Sequence, residues 1–121
     1  MQYTISLSAD GTFIILKYVG DITRKSVVAP TIEAHALGNE MKIDRFLVDA
    51  TEATNVETVL ENYEFVNLDL PTMPLDKFAR IALLVRPDDH SHDFVVTAAR
   101  NSHVAITLFV DRELAERHLH K

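Results

Sequence analysis

Hydrophobic side chains along the chain change several times between a period of two and a period near 3.6, the pattern of strands that alternate with helices. Residues 3–7 and 12–19 are β-prone and flank Asp10 and Gly11, which tolerate positive φ, so they predict a β-hairpin. The second run is apolar on both faces and should be an internal strand, which leaves the first strand at an edge. Residues 20–23 should end the hairpin.

A first helix is predicted from the helical spacing of apolar residues between Val27 and Ala36, and Gly38 should end it. Pro30 conflicts with a smooth helix because an interior proline removes a hydrogen bond and clashes with the preceding turn. The helix is therefore either kinked or begins nearer Ser26.

Residues 45–50 form a short apolar run that predicts a buried parallel strand, and a second helix should follow it. Thr54 and Glu57 have the spacing of a capping box, in which the two side chains satisfy free amides at a helix start. The positions that continue the helical period are Val56, Val59, Leu60, Tyr63 and Val66 or Asn67.

The second half of the chain continues the alternation. Residues 70–76 contain two prolines and predict a connecting loop over one end of the sheet. Residues 79–85 and 103–110 predict strands, residues 91–100 predict a helix between them, and Asp111 can cap a final helix. The element order is β-β-α-β-α-β-α-β-α, which predicts an α/β fold with a five-stranded mixed sheet and four helices.

Composition narrows the function classes. A chain of 121 residues has the size of one domain, here residues 1–121. It contains no cysteine, which excludes disulfides and thiolate metal sites. The net charge of -6 disfavours nucleic-acid binding, and no apolar run is long enough to span a membrane. The first residues lack a basic region before an apolar stretch, so we expect a cytoplasmic protein.

No segment has the spacing of a catalytic motif. Asp88, Asp89, His90 and His92 are the densest group of metal-ligand types, but their spacing matches no closed metal site. A solvated loop with a helix cap is the favoured interpretation of this group, and a metal-dependent enzyme ranks last. His103 lacks a recognisable nucleophile, and three isolated glycines form no phosphate cradle. We therefore expect no cofactor, no metal and no enzymatic activity.

A hydroxyl-rich segment follows the predicted central strand. Asp49 lies at the strand end, and Thr51, Thr54 and Thr58 follow it. Such a turn could hold an anion or accept a phosphate. Alternatively, Asp49 ties down its own loop and Thr54 only caps the helix, and capping alone explains these residue types.

Several segments, together with the predicted order of elements, resemble a known family over nearly the whole chain. They are Tyr3-Thr4-Ile5 with Asp10-Gly11, Gly20-Asp21-Ile22-Thr23, Phe46-Leu47-Val48-Asp49, Ala99-Arg100-Asn101, Leu108-Phe109-Val110-Asp111 and Ala115-Glu116. The chain resembles the STAS-like family of bacterial anti-sigma-factor antagonists, and in particular small standalone SpoIIAA-like proteins, also described as STAS/SEC14-type domains.

The resemblance implies two kinds of site. In STAS antagonists an Asp-Ser pair at the start of the helix after the central strand carries the phosphorylated serine, and Glu57 and Thr58 stand near that place. The Ser-Gly that follows in the family is replaced by Val59 and Leu60. The SEC14 side implies a hydrophobic ligand, although the lipid cage of that larger fold is too long for this chain.

Two functional hypotheses follow. The first is a non-enzymatic STAS-like regulatory or protein-binding module that presents residues 51–58 and the second helix to a partner. The alternative is a small carrier of a hydrophobic or lipid-like ligand, bound between the sheet and the 68–78 loop. Apolar edges and helix faces also leave a homodimer open. The predicted pocket residues are Leu70, Met73, Leu75 and Phe78.

Overall fold

The computed structural model describes residues 1–121 and has the predicted order of five strands and four helices. The strands are Gln2–Leu7 (β1), Ile14–Ile22 (β2), Arg45–Asn55 (β3), Arg80–Leu84 (β4) and Ala105–Phe109 (β5). The helices are Val28–Met41 (α1), Val59–Glu64 (α2), Asp93–Asn101 (α3) and Arg112–Leu119 (α4).

The five strands form one mixed sheet in the order β1-β2-β3-β4-β5. Strand β1 pairs with β2 in antiparallel fashion and all other neighbours are parallel. The prediction that β2 is internal and β1 lies at an edge is confirmed. Leu16, Val48 and Leu83 are register partners across the three central strands, which creates a continuous apolar band.

The two faces of the sheet are covered differently. On one face, helix α4 packs Ala115 and Leu119 against Phe13, Leu47 and other strand residues, all buried. On the opposite face lie α1, α3 and the connection that contains α2, and this face carries the larger apolar cluster. Asp111 caps α4 as predicted, because its carboxylate accepts hydrogen bonds from the amides of Glu113 and Leu114.

Strands β2 and β3 are longer than the sequence pattern predicts. Gly20 does not end β2 but continues it with a φ of 103°, and Ile22 pairs with Asn55 at the far end of β3. Each strand supplies the hydrogen-bond partners that extend the other, which local propensity cannot reveal. Asp49 therefore lies inside β3, and not at the strand end as predicted.

Helix α1 begins at Val28, so Pro30 falls in the first turn, where its missing amide costs nothing. The helix continues through Gly38 and ends at Met41, before the left-handed residue Lys42. The prediction that Gly38 ends the helix is wrong. This position instead has no room for a side chain, because α1 packs closely on its neighbours here. A Cβ at this position would lie 2.6 Å from the carbonyl oxygen of Ile43 and 2.9 Å from the Phe46 ring.

The predicted capping box at Thr54 is wrong, because β3 extends through that residue. Thr58 caps α2 instead, with its hydroxyl accepting from the amide of Glu61 at 3.1 Å. The short helix continues into a π-helical turn, Phe65–Asp69, and a 3-10 turn, Leu70–Thr72, where a loop was predicted. We call residues 58–78 the cover segment.

Most of the predicted apolar stripe of α2 points outward. Its side chains Val59, Leu60 and Tyr63 are each more than half exposed, whereas Val66, just after the helix, is buried. Within the helix, Asn62 faces inward. Apolar spacing correctly predicted the helix but does not reveal its orientation, because the helix packs mainly on α3 and not on the sheet.

Replacing Gly38 with alanine is expected to destabilise the protein by about 1–3 kcal/mol, since the new methyl group meets backbone and ring atoms that cannot both retreat. Urea denaturation measures the change. Asn39→Ala, at the next and exposed position of α1, is the control and should change the free energy of unfolding by about 0.5 kcal/mol or less. Equal stability of the Gly38→Ala protein and the wild type would contradict the packing role.

Candidate functional site

A cavity of about 660 Å³ lies between the sheet and its cover on the face opposite α4. Strands β2, β3 and β4 form its floor, and α1, the cover segment and α3 form its walls. Of its 33 lining residues, 21 are hydrophobic. Protein interiors are normally close-packed, so an apolar space of this size is a feature of small-molecule sites and not of ordinary cores.

The cavity exists because the cover segment does not pack down on the sheet. Val48 and Ile81, in the middle of the central strands β3 and β4, are only partly buried and line the cavity. Residues at such positions would be fully covered in a packed two-layer core. The cover segment contacts α3 instead, and Val66 from the π-helical turn is buried beside Ala98 and Ala99 of that helix.

Arg24 holds the other side of the cover segment. It lies in the connection between β2 and α1, and its guanidinium makes a two-pronged contact with Asp69 at 2.7 and 2.9 Å. It also donates to Glu64 at 2.6 Å, and its backbone amide donates to Glu57 at 2.7 Å. These bonds tie both ends of α2 to the connection that follows β2.

This network has one cation among several carboxylates, because Glu61 lies 3.4 Å from Arg24 as well. The hydrogen bonds that Arg24 donates to Asp69 and Glu64 raise the pKa of Arg24, and the bonds to Asp69 lower the pKa of that carboxyl. Both members of the principal pair therefore stay ionised at neutral pH. Charge-assisted, two-pronged pairs are the strong class of such contacts.

Two buried histidines line the largely apolar cavity, and the exposed His103 lies at its wall as well. His35 on α1 stacks on the Phe46 ring with centroids 4.4 Å apart, and burial lowers its pKa. His92, just before α3, lies with Nε2 3.4 Å from Oδ2 of Asp89 and 3.4 Å from the carbonyl oxygen of Ala53. Hydrogen-bonding groups are thus present at the cavity wall.

The structure brings together most of the predicted pocket residues. Leu70, Met73 and Leu75 line the cavity. Phe78 does not, and the prediction for it is wrong: its side chain is 84% exposed. A turn closed by the Phe78 amide donating to the Asp76 carboxylate at 2.8 Å directs this residue outward.

The predicted partner and phosphate residues do not form one surface. Asp49 lies on the α4 face, where its carboxylate accepts from the amide and hydroxyl of Thr51 and faces Arg112 at 3.9 Å. Thr54 lies in β3, Thr58 begins the cover segment, and Glu57 lies between them. The phosphate-binding turn around Asp49 is therefore absent, since the residues continue a strand.

The acidic and histidine-rich cluster divides into two pairs. Asp89 and His92 are buried together, while His90 pairs with Asp93 at 3.1 Å on the surface. Asp88 is exposed, and His103 has a left-handed backbone with a φ of 66°. No three His, Asp or Glu side chains lie close enough to one another to hold a metal ion.

The sequence matches no known family profile and no curated protein. A crystal structure of an uncharacterized protein of the DUF3478 family from Shewanella loihica PV-4, described as having a SpoIIAA-like fold, is similar to this chain. The TM-score is 0.56 at 20% sequence identity, over 98% of this chain and 92% of that chain. The fold is SpoIIAA-like. The STAS-like resemblance predicted from the sequence is confirmed at the level of the fold.

Within this SpoIIAA-like fold, the residues that sequence reasoning missed are Arg24, His35 and the inward-facing role of His92. The acidic partner of Arg24 is distant in sequence, since Asp69 lies 45 residues away. His35 sits within an apolar helix pattern that gives no sign of a cavity. None of the helices is both long enough and apolar enough to cross a membrane.

Replacing Arg24 with glutamine should loosen the cover segment without unfolding the SpoIIAA-like sheet, because the lost bonds all join the cover to the β2–α1 connection. Hydrogen exchange followed by mass spectrometry should show faster exchange of amides in residues 61–72 and unchanged exchange in β3. Lys25→Gln, at the exposed neighbouring position, is the control and should leave both regions unchanged. Uniformly faster exchange throughout the sheet would count against a local anchoring role.

Proposed function

We propose that this protein is a non-enzymatic binding protein whose cavity takes an elongated apolar molecule such as the acyl chain of a lipid. The observation that carries the proposal is the apolar cavity of about 660 Å³ between the sheet and the cover segment. Its volume falls in the usual range for sites of small organic ligands. Leu70, Met73 and Leu75, predicted from the sequence as pocket residues, supply part of its wall.

An apolar cavity selects ligands chiefly by the amount of hydrocarbon it removes from water. Each buried methylene contributes about 0.8 kcal/mol, which corresponds to roughly fourfold in affinity. Affinity for a homologous series should rise steeply with chain length until the cavity is full.

Filling the cavity with a larger side chain should abolish ligand binding. Val48→Phe places a ring above the centre of the sheet, where Val48 is only partly buried and lines the cavity. Titration with a fluorescent fatty acid should show at least a tenfold loss of affinity. Native mass spectrometry of the purified wild-type protein should show a bound apolar molecule that the variant lacks.

The matched control is Val19→Phe, the same substitution at an exposed position of β2 outside the cavity. Its affinity for the fluorescent fatty acid should equal that of the wild type. Unchanged binding by Val48→Phe in a folded protein, or failure of the wild type to bind any chain length, would overturn the carrier function.

A second candidate function is a regulatory or protein-binding module. The observation that favours it is the apolar outer face of α2, where Val59, Leu60 and Tyr63 are more than half exposed. Large exposed apolar patches mark interaction surfaces in many proteins. Thr58, the predicted phosphate acceptor, caps the same helix and is itself exposed. A second copy of this chain is the simplest occupant, because a two-fold axis pairs a surface with itself.

Leu60→Asp should weaken self-association, because a carboxylate in an apolar contact must be desolvated. Sedimentation velocity over a range of concentrations should show reversible dimers of the wild type and a monomeric variant. Leu114→Asp, at a half-exposed leucine of α4 on the other side of the sheet, is the control and should still dimerise. A wild-type protein that stays monomeric at high concentration would exclude this pairing.

A further inference from the structure

Each of the two buried histidines in the cavity wall has one ring nitrogen that has no protein partner. His35 is 6% exposed and His92 is 3% exposed, so both are removed from bulk water. The hydrogen-bond partners of His35 meet only Nδ1, and those of His92 meet only Nε2. No fully buried side-chain polar atom in the protein lacks a partner, so the remaining nitrogens are open to the cavity.

The partners of His35 determine which of its nitrogens carries the proton. The backbone amide of Asp76 points at Nδ1 from 3.5 Å, and an amide can only donate. Nδ1 therefore keeps its lone pair. Burial lowers the pKa of His35, so the ring is neutral at pH 7 and the proton lies on Nε2. His35 offers a hydrogen-bond donor to the cavity.

His92 has the opposite arrangement. Its Nε2 faces the carboxylate of Asp89 and the carbonyl of Ala53, and both of these accept. Burial works against the ionised form of Asp89, but hydrogen bonds from the Ser91 hydroxyl and amide outweigh it and lower the pKa of the carboxyl. Nε2 therefore carries a proton, and Nδ1 is the ring nitrogen that faces the cavity without a protein partner.

These two groups stand at opposite ends of the cavity. His35 stacks on Phe46 near the beginning of β3, and His92 contacts the Ala53 carbonyl near the end of that strand. The two contact points are seven positions apart along β3, roughly 23 Å at the rise of an extended strand. A ligand that satisfies both must be long.

The two ends of the cavity suit different ligand groups. At the His35 end the ring offers its proton on Nε2, and Lys77 lines the cavity there next to Asp76. A carboxylate can only accept, so it pairs with this donor. At the other end the carboxylate of Asp89, which Arg86 contacts at 3.5 Å, backs the His92 ring. A hydroxyl both donates and accepts, so it can pair with Nδ1 of His92.

We propose that the cavity binds a long-chain molecule that carries a carboxylate at one end, read by His35 and Lys77, and a hydroxyl near the other, read by His92. The ligand class is thus a hydroxylated fatty acid, and the apolar floor contacts the chain between the two groups. This inference rests on the proposed carrier function and names its ligand class.

The decisive comparison uses two probes, palmitic acid and ω-hydroxypalmitic acid, in competition with a fluorescent fatty acid on the intact protein. The hydroxylated acid should bind more tightly by roughly twofold to tenfold, the worth of one net hydrogen bond. This comparison needs only the wild-type protein, so it does not depend on the folding of any variant.

His92→Gln isolates the hydroxyl contact. Glutamine keeps a side-chain N–H that can reach Asp89 but has no nitrogen at the Nδ1 position. The variant should bind both acids with the affinity of the wild type for palmitic acid. His90→Gln, at an exposed histidine outside the cavity, is the control and should keep the preference.

Two variants of His35 test the other end. His35→Gln retains an N–H donor near the position of Nε2 and should retain most of the affinity for both acids. His35→Leu removes the donor and should weaken both acids by roughly tenfold or more, since hydrogen bonds to charged groups are the stronger class. Thermal unfolding of each variant shows that the fold is intact.

The outcomes separate the two proposals. Equal affinity of the wild type for the two acids overturns the inference and leaves the carrier function standing. A preference that survives His92→Gln also overturns it. Failure of the wild type to bind either acid removes both proposals together.

Discussion

The ion pairs of Arg24 hold one side of the cover segment to the connection that follows β2, and α3 supports its other side. The cavity beneath the cover segment depends on these two supports. Without such supports, an apolar segment above an apolar sheet collapses onto it, because burial of hydrocarbon is the main force of folding. The contact is strong for its position, since the guanidinium meets Asp69 with two hydrogen bonds and Glu64 with a third.

The two faces of one sheet therefore have different physical roles. Beneath α4, Phe13, Leu47 and Ala115 are buried in a dry core that supplies stability without any site. Beneath the cover segment, Val48 and Ile81 remain partly uncovered. The well-packed face lets the fold tolerate the incompletely packed one, in the same way that rigid scaffolds support ligand sites elsewhere.

The polar groups of the molecule follow the same division. Asp49 and Thr51, which the sequence marks as a phosphate-binding turn, lie on the packed side and satisfy each other. The cavity wall instead contains His35 and His92, each with one ring nitrogen that has no protein partner. The polar groups available to a ligand thus lie on the side of the sheet where packing is incomplete.

Much of the fold follows from local pattern. The Asp10-Gly11 turn, the two-faced apolar strand β2, the Asp111 cap and the alternation of strands with helices are short-range features, and each is present as predicted. Three of the four predicted pocket residues also line the cavity. A proline-rich apolar connection does not continue a helix or a strand easily, and it buries its side chains most readily over the sheet.

Properties that depend on distant partners were decided only by the tertiary structure. Thr54 became part of a strand because β2 runs alongside it, and the apolar stripe of α2 turned outward because the helix rests on α3. Arg24 meets Asp69 across 45 positions of sequence, and no local pattern anticipates that contact. The sequence by itself determined which elements form and in what order, since these depend on neighbours along the chain. Their orientation, and hence the cavity, depends on contacts that exist only once the chain has folded.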